Sequence, residues 1–321
     1  MAPQTKLSSL AKYAWFTLGW NLLVILWGVF LRASKSGDGC GQHWLTCQGE
    51  VIPSAPELKT VIEYSHRITS FLAFVSVVVL LVWVYRKFAK GDAIRRTALF
   101  SFVFVVTEAL VGAGLVLTGN TAETLTAARP FWMAGHLINT FILLAFLTLT
   151  ARYASGGGAI VWNREAKHKA AIAIGALAVI FVGITGSIAA LASMLFPAGT
   201  ISAGFAQDFS PTSNVLLRLR LLHPISAILT SVFLIFLTGW FAKESGKAKQ
   251  VTRWANTIAL LVLIQIAFGS ATLLMLAPIV MQLGHLFLAD AIWISYVMLV
   301  AGFLSEAPVD GEVSPASDLA Q

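Results

Sequence analysis

The sequence predicts an all-α integral membrane protein: eight transmembrane helices forming two pseudo-twofold-related four-helix bundles. Three observations carry this. Of 321 residues, 57% are hydrophobic and only 12% charged, roughly half the charge density of an average soluble domain. Apolar runs of about 20 residues, the length that crosses a bilayer core, recur along almost the whole chain. The two halves also superpose at a nearly constant offset. A soluble enzyme with a single anchor is excluded, and so is a β-barrel of short alternating strands. The net charge is +7, but the basic residues sit in short loops and form no basic face with interleaved aromatics, which argues against a nucleic-acid partner. The expected surroundings are the lipid bilayer.

Cutting the chain where charges and Pro/Gly clusters interrupt the apolar runs places the spans at 15–31, 61–85, 97–118, 131–151, 170–195, 216–241, 254–277 and 279–304. The first follows only Lys6 and Lys12, is longer than a signal-peptide core and lacks a small-residue cleavage site, so it reads as a retained helix. The seventh and eighth are separated by little more than Pro278 and form a tight hairpin. Of the 22 Lys and Arg residues, fifteen fall on the side of the N-terminus and six on the other, with Arg67 inside the second span. The positive-inside rule then makes this a multi-pass protein of the cell membrane with both termini cytoplasmic. The expected organisation is an N-terminal four-helix half (1–155), a C-terminal four-helix half (156–304) and a disordered cytoplasmic tail (305–321).

Four histidines lie inside spans, one on each even-numbered helix: His66, His136, His223 and His285. His66 and His223 are 157 residues apart, as are Glu108-Ala-Leu-Val-Gly112 and Gln265-Ile-Ala-Phe-Gly269; His136 and His285 are 149 apart, as a shorter last hairpin would require. An even number of helices per unit makes the repeat parallel. Each histidine falls five to seven residues into its span, roughly 8–10 Å deep. Two opposed imidazoles on facing helices of a four-helix bundle can ligate a haem on both faces, and Gly135 and Gly284, one position earlier, would let a flat ring approach the backbone. Hydrogen bonding between helices is the plain alternative; a porphyrin-free metal site would need further ligands. His168, in a basic loop, reads as solvated and His43 as loop structure.

The halves differ where chemistry would show. Glu63 stands three residues before His66 and four before Arg67, so it can meet both on one helix face. At the 157-residue offset its counterpart is Arg220. A carboxylate beside a haem can handle protons or water, although a simple ion pair with Arg67 is the competing reading. Arg218 and Arg220, at the outer rim, are suited to haem propionates. Glu108 and Asp290 read as packing or hydrogen-bonding residues. The outward loop holds Cys40 and Cys47, on the oxidising side and therefore candidates for a disulfide. It acts either as a structural staple or as a redox-sensitive lid over the first bundle. No Cys-x-x-Cys-His motif for haem attachment occurs.

Together, the EYSHR element (Glu63, His66, Arg67), the GCGQHWLTCQG loop and the four even-helix histidines resemble the haem A synthase family, over nearly the whole chain. The resemblance implies oxidation of a haem O methyl group to a formyl group, supplying haem A for terminal oxidase biogenesis. It implies that His66 and His136 hold the substrate haem O, with Glu63 as the essential acid, and that His223 and His285 ligate a haem b cofactor. An electron acceptor and the enzyme that makes haem O are the implied partners. The chain departs from the pattern in His223-Pro224, where a basic residue often follows the histidine, in Glu108, where glutamine is common, and in lacking a second cysteine pair. A di-haem b electron carrier and, less well matched, a histidine-coupled transporter are the rival readings.

Overall fold

The computed structural model describes residues 7–305; Lys6 and all of the expected tail beyond Ser305 lie outside the described residues. Eight helices are long and apolar enough to cross a membrane. They are α1 (Ser9–Ala33), α2 (Leu58–Lys87), α3 (Ala93–Leu117), α4 (Arg129–Ala154), α5 (Ala166–Leu195), the pair α7 (Val215–Arg220) and α8 (Leu222–Glu244), α9 (Lys249–Leu274) and α10 (Ile279–Ser305). A short α6 (Ile201–Phe209) lies in the loop before α7. The described residues contain no strand, only an isolated bridge between Cys47 and Glu50.

The helices start earlier than hydropathy alone implies. Helix α2 begins at Leu58 and α4 at Arg129, so His66 and His136 lie eight and seven residues in, roughly 10–12 Å deep. The sixth span is broken at Leu221. Pro224 explains the break: its ring cannot donate to the carbonyl of Arg220 and crowds it. The last two spans do form a hairpin, but α9 ends at Leu274, three residues short of the expected end. The turn places Leu276 and Ala277 at φ of 60° and 55°, a conformation that cannot continue a helix.

Helices α1–α4 pack in a ring, α2 touching α1 and α3, and α4 touching α3 and α1; α5, α8, α9 and α10 pack likewise. The two rings meet where α4 contacts α5 and α10, and α1 contacts α10. At that seam the Trp293 indole N–H donates to the Phe141 carbonyl (2.6 Å), and the two rings stack with centroids 5.3 Å apart. Large apolar side chains such as Phe71, Phe131, Leu229 and Phe236 are exposed, as expected where the solvent is lipid. Two faces result: a loop face, with residues 34–57 and 196–214, and a termini face.

One expectation fails and another is narrowed to packing. His168 is buried at the termini face, stacked on Trp240 (5.2 Å) and tilted against Phe303 (5.3 Å), with Nε2 2.9 Å from the Glu244 carboxylate. It lies in the first turn of α5, so the helix turns it into the bundle, and the surrounding lysines do not reveal this. Asp290 is 1% exposed and neither oxygen has a hydrogen-bond partner, so it is not a hydrogen-bonding residue.

Candidate functional site

All four histidines lie near the loop face and are half-buried. In the C-terminal ring the His223 and His285 ring centres are 6.1 Å apart and nearly perpendicular, at 87°. An iron bound by both at metal–nitrogen distances of about 2 Å needs ring centres roughly 6 Å apart. The Thr185 hydroxyl lies 3.3 Å from His223 Nδ1, and Gln265 Nε2 lies 3.4 Å from His285 Nε2 and donates to the His285 carbonyl (3.1 Å). The Nδ1 atoms of His66, His136 and His285 are buried and have no hydrogen-bond partner. A buried ring nitrogen without a partner is costly and is common at ligand sites.

Glycines seat three of these rings. A Cβ at Gly28 would lie 3.0 Å from His66 Cε1, one at Gly186 2.9 Å from His223 Cε1, and one at Gly269 2.8 Å from His285 Cε1. Only a residue without a side chain lets the neighbouring helix approach an imidazole this closely. The glycines singled out from sequence behave differently. Gly135 faces open space, beside an apolar cavity of about 320 Å³ lined by Val111, Phe131 and Trp132, whereas the space at Gly284 is filled by the Phe268 ring.

His136 differs from its counterpart His285. Its Nδ1 lies 3.4 Å from Glu108 Oε1, within ion-pair range but out of line for a hydrogen bond. Glu108 accepts from the Thr140 hydroxyl and the Asn139 amide, both at 2.5 Å. Glu108 is therefore a hydrogen-bonding residue, as expected, and it stands beside His136, a place the sequence reading did not assign it. The signal was available in the 157-residue offset, which pairs it with Gln265 at His285.

Glu63 is buried, 3% exposed. Its Oε1 meets Arg67 Nη2 at 2.5 Å, and its Oε2 accepts the Cys40 backbone N–H at 2.8 Å. Arg67 Nη1 donates to the carbonyls of His43 (2.6 Å), Trp44 (3.2 Å) and Thr46 (2.9 Å). Cys40 and Cys47 form a disulfide, and Gly39 packs so tightly on the backbone of Lys59 and Thr60 that no side chain fits. The loop, the ion pair and the helix bearing His66 thus form one unit. His43 contributes only its backbone, as expected of a loop residue. In the other half, Arg220 pairs with Asp208 of α6 (Nη2–Oδ1 2.5 Å) and Arg218 donates to the Pro211 carbonyl (2.7 Å). Both arginines expected at propionates therefore hold the second loop.

Among the described residues no group of three or more His, Cys, Asp or Glu side chains gathers as a bare metal ion requires. Paired imidazoles, unpartnered ring nitrogens and glycine-relieved walls fit a planar ligand held from two sides.

Residues 11–297 match the family model COX15-CtaA, described as a cytochrome oxidase assembly protein. The chain belongs to that family. A Thermus thermophilus relative named protoheme IX farnesyltransferase is 42% identical over 92% of the chain, which matches only 49% of that protein. The chain thus spans about half the length of that relative. Proteins named heme A synthase from Shouchella clausii (30% identical, 79% of this chain and 83% of theirs) and Halalkalibacterium halodurans (26%, 87% and 92%) are similar over most of both lengths. The family match includes every histidine, the Glu63–Arg67 pair and the disulfide loop.

Proposed function

We propose that this chain is a haem A synthase of the cell membrane, with both termini cytoplasmic, oxidising a methyl group of haem O to a formyl group. The observation that carries this reading is the asymmetry of the halves. Both have paired histidines, but only the first ties a buried carboxylate and guanidinium to a disulfide loop. The N-terminal half, 1–155, takes the substrate haem O between His66 and His136. The C-terminal half, 156–304, would hold a haem b between His223 and His285, with Arg218 and Arg220 holding the loop beside it. Bound there, a haem b supplies one-electron redox chemistry.

Conversion of R–CH3 and water to R–CHO releases four protons and four electrons, in successive two-electron steps through the alcohol and the hydrated aldehyde. The oxygen comes from water. His66 and His136 fix the plane of the substrate ring. Glu63, held by Arg67 and the Cys40 N–H, stays an acceptor beside His66, where it takes a proton from the reacting methyl or from water. The disulfide loop covers this end of the first ring and limits access of bulk water. His223 and His285 would hold the group that relays the electrons to an acceptor in the membrane. The name of the Thermus thermophilus relative points to the preceding step, farnesyl transfer to protohaem, and a protein twice as long with one half like this chain suits hand-over of the farnesylated haem.

Expression with a haem O source, followed by haem extraction and mass analysis, tests the reading. Glu63→Gln, which keeps an acceptor for Cys40, should retain bound haem O and yield no haem A; normal haem A output would refute the role of the acid. Unchanged haem b alone in the wild type would mark an electron carrier, and no haem a transporter.

A further inference from the structure

We propose that Arg32 and Arg129 form an anion site at the mouth of the first ring that takes the propionate carboxylates of the tetrapyrrole held by His66 and His136. The proposal rests on the function proposed above and assigns it a recognition element.

Arg32 is one helical turn beyond Gly28, the residue against which His66 packs, and so lies on the same face of α1, closer to the loop face. Arg129 stands two turns before His136 on the same face of α4, roughly 10 Å nearer the loop face. Helices α1 and α4 pack together, and the two guanidinium groups lie within electrostatic reach of each other. Each histidine of the first half therefore has an arginine above it, and the arginines converge.

Neither cation is neutralised. Arg32 has no side-chain hydrogen bond or ion pair among the described residues. Arg129 is 2% exposed; its Nη1 and Nη2 donate to the carbonyls of Thr124 (2.5 Å) and Ala122 (2.6 Å), and its Nε has no partner. The acids nearby are engaged elsewhere, Asp38 with Lys59, Glu123 with Lys35 and Glu63 with Arg67. Two adjacent half-buried and buried guanidiniums without a counterion form an unfinished arrangement, which a pair of carboxylates completes with charge-assisted, fork-shaped hydrogen bonds. The C-terminal half has no equivalent pair: the same offsets place Ala189 and Pro278 there, and its Arg220 is already matched by Asp208.

The test titrates the full-length chain, carrying its C-terminal haem, with iron protoporphyrin IX and with its dimethyl ester, scoring only the Soret signal that His66→Ala abolishes. The wild type should prefer the free acid by about ten- to a hundredfold, the strength of one or two hydrogen bonds to charged groups. Arg32→Gln, which removes no hydrogen bond or ion pair among the described residues, should erase most of that preference and leave ester binding unchanged; Arg32→Lys should restore part of it. Equal binding of acid and ester by the wild type, or an unchanged preference in Arg32→Gln, overturns the proposal. Loss of the preference on adding phosphatidylglycerol to the micelles would assign the arginines to a lipid phosphate and also overturn it. If neither probe gives a His66-dependent signal, the haem O reading itself fails.

Discussion

Replacing Arg67 with Met should open the disulfide loop without unfolding the helices. The substitution keeps the aliphatic stem but removes Glu63's partner and the Nη1 group that bonds three loop carbonyls. Breaking a buried ion pair costs about 3–5 kcal/mol because it strands the remaining charge. Here Glu63 keeps the Cys40 N–H, the Arg67 side chain is 19% exposed, and the freed carbonyls can turn to water, so the lower end, about 3 kcal/mol, applies. If the loop opens as a local unit, amide exchange at Cys40 and Gln48 should accelerate by roughly a hundredfold. Amides in the middle of α2, protected by the helix ladder, should be unaffected. Hydrogen exchange followed by mass spectrometry of peptides spanning 36–50 reads both. Unchanged protection of the loop would show that the disulfide and the Gly39 contact hold it alone, and that the ion pair is not its latch.

Two further outcomes follow from single residues. Asp290→Leu replaces a fully buried acid without partners by an apolar side chain of similar size, so unfolding in detergent should shift to higher temperature, by about 1–3 kcal/mol of stability; a lower midpoint would reveal a partner. Lys35, hydrogen-bonded to Glu123 in the loop before α4, holds that carboxyl below its usual value of 4.5. An acid with a depressed folded value contributes stability above its unfolded value and loses it as pH falls through the folded one. The tie between the loops at 34–57 and 118–128 should thus persist at pH 5 and loosen only below 4.5, as proteolysis of Lys35→Met against wild type across that range would report.

The spans and histidines were legible because hydropathy and an intramembrane histidine are local signals, strong at the level of single residues. What touches each side chain was not. The apolar period in α3 identifies a helix but not which face carries Glu108, and only the repeat offset connects it to the histidine on α4. His168 illustrates the same limit from the other side: basic neighbours in sequence suggest water, while the first turn of α5 points the ring at Trp240. The helix Ile201–Phe209 is too short to stand out from its apolar surroundings, although Thr200, whose hydroxyl caps the Ala203 N–H, marks its start. The clamp on the disulfide loop depends on Arg67 reaching backbone carbonyls more than twenty residues away, and a carbonyl has no sequence signature.

The seam at Trp293 and Phe141 also fixes a spacing between the halves. His136 sits five residues before one partner and His285 eight before the other, each on the same continuous helix. With a haem held by each histidine pair, as proposed, tunnelling between them would fall off steeply with separation, and this stacked contact joins the two helices that set that separation. Loosening the seam would leave both pairs intact and detune the traffic of charge between them.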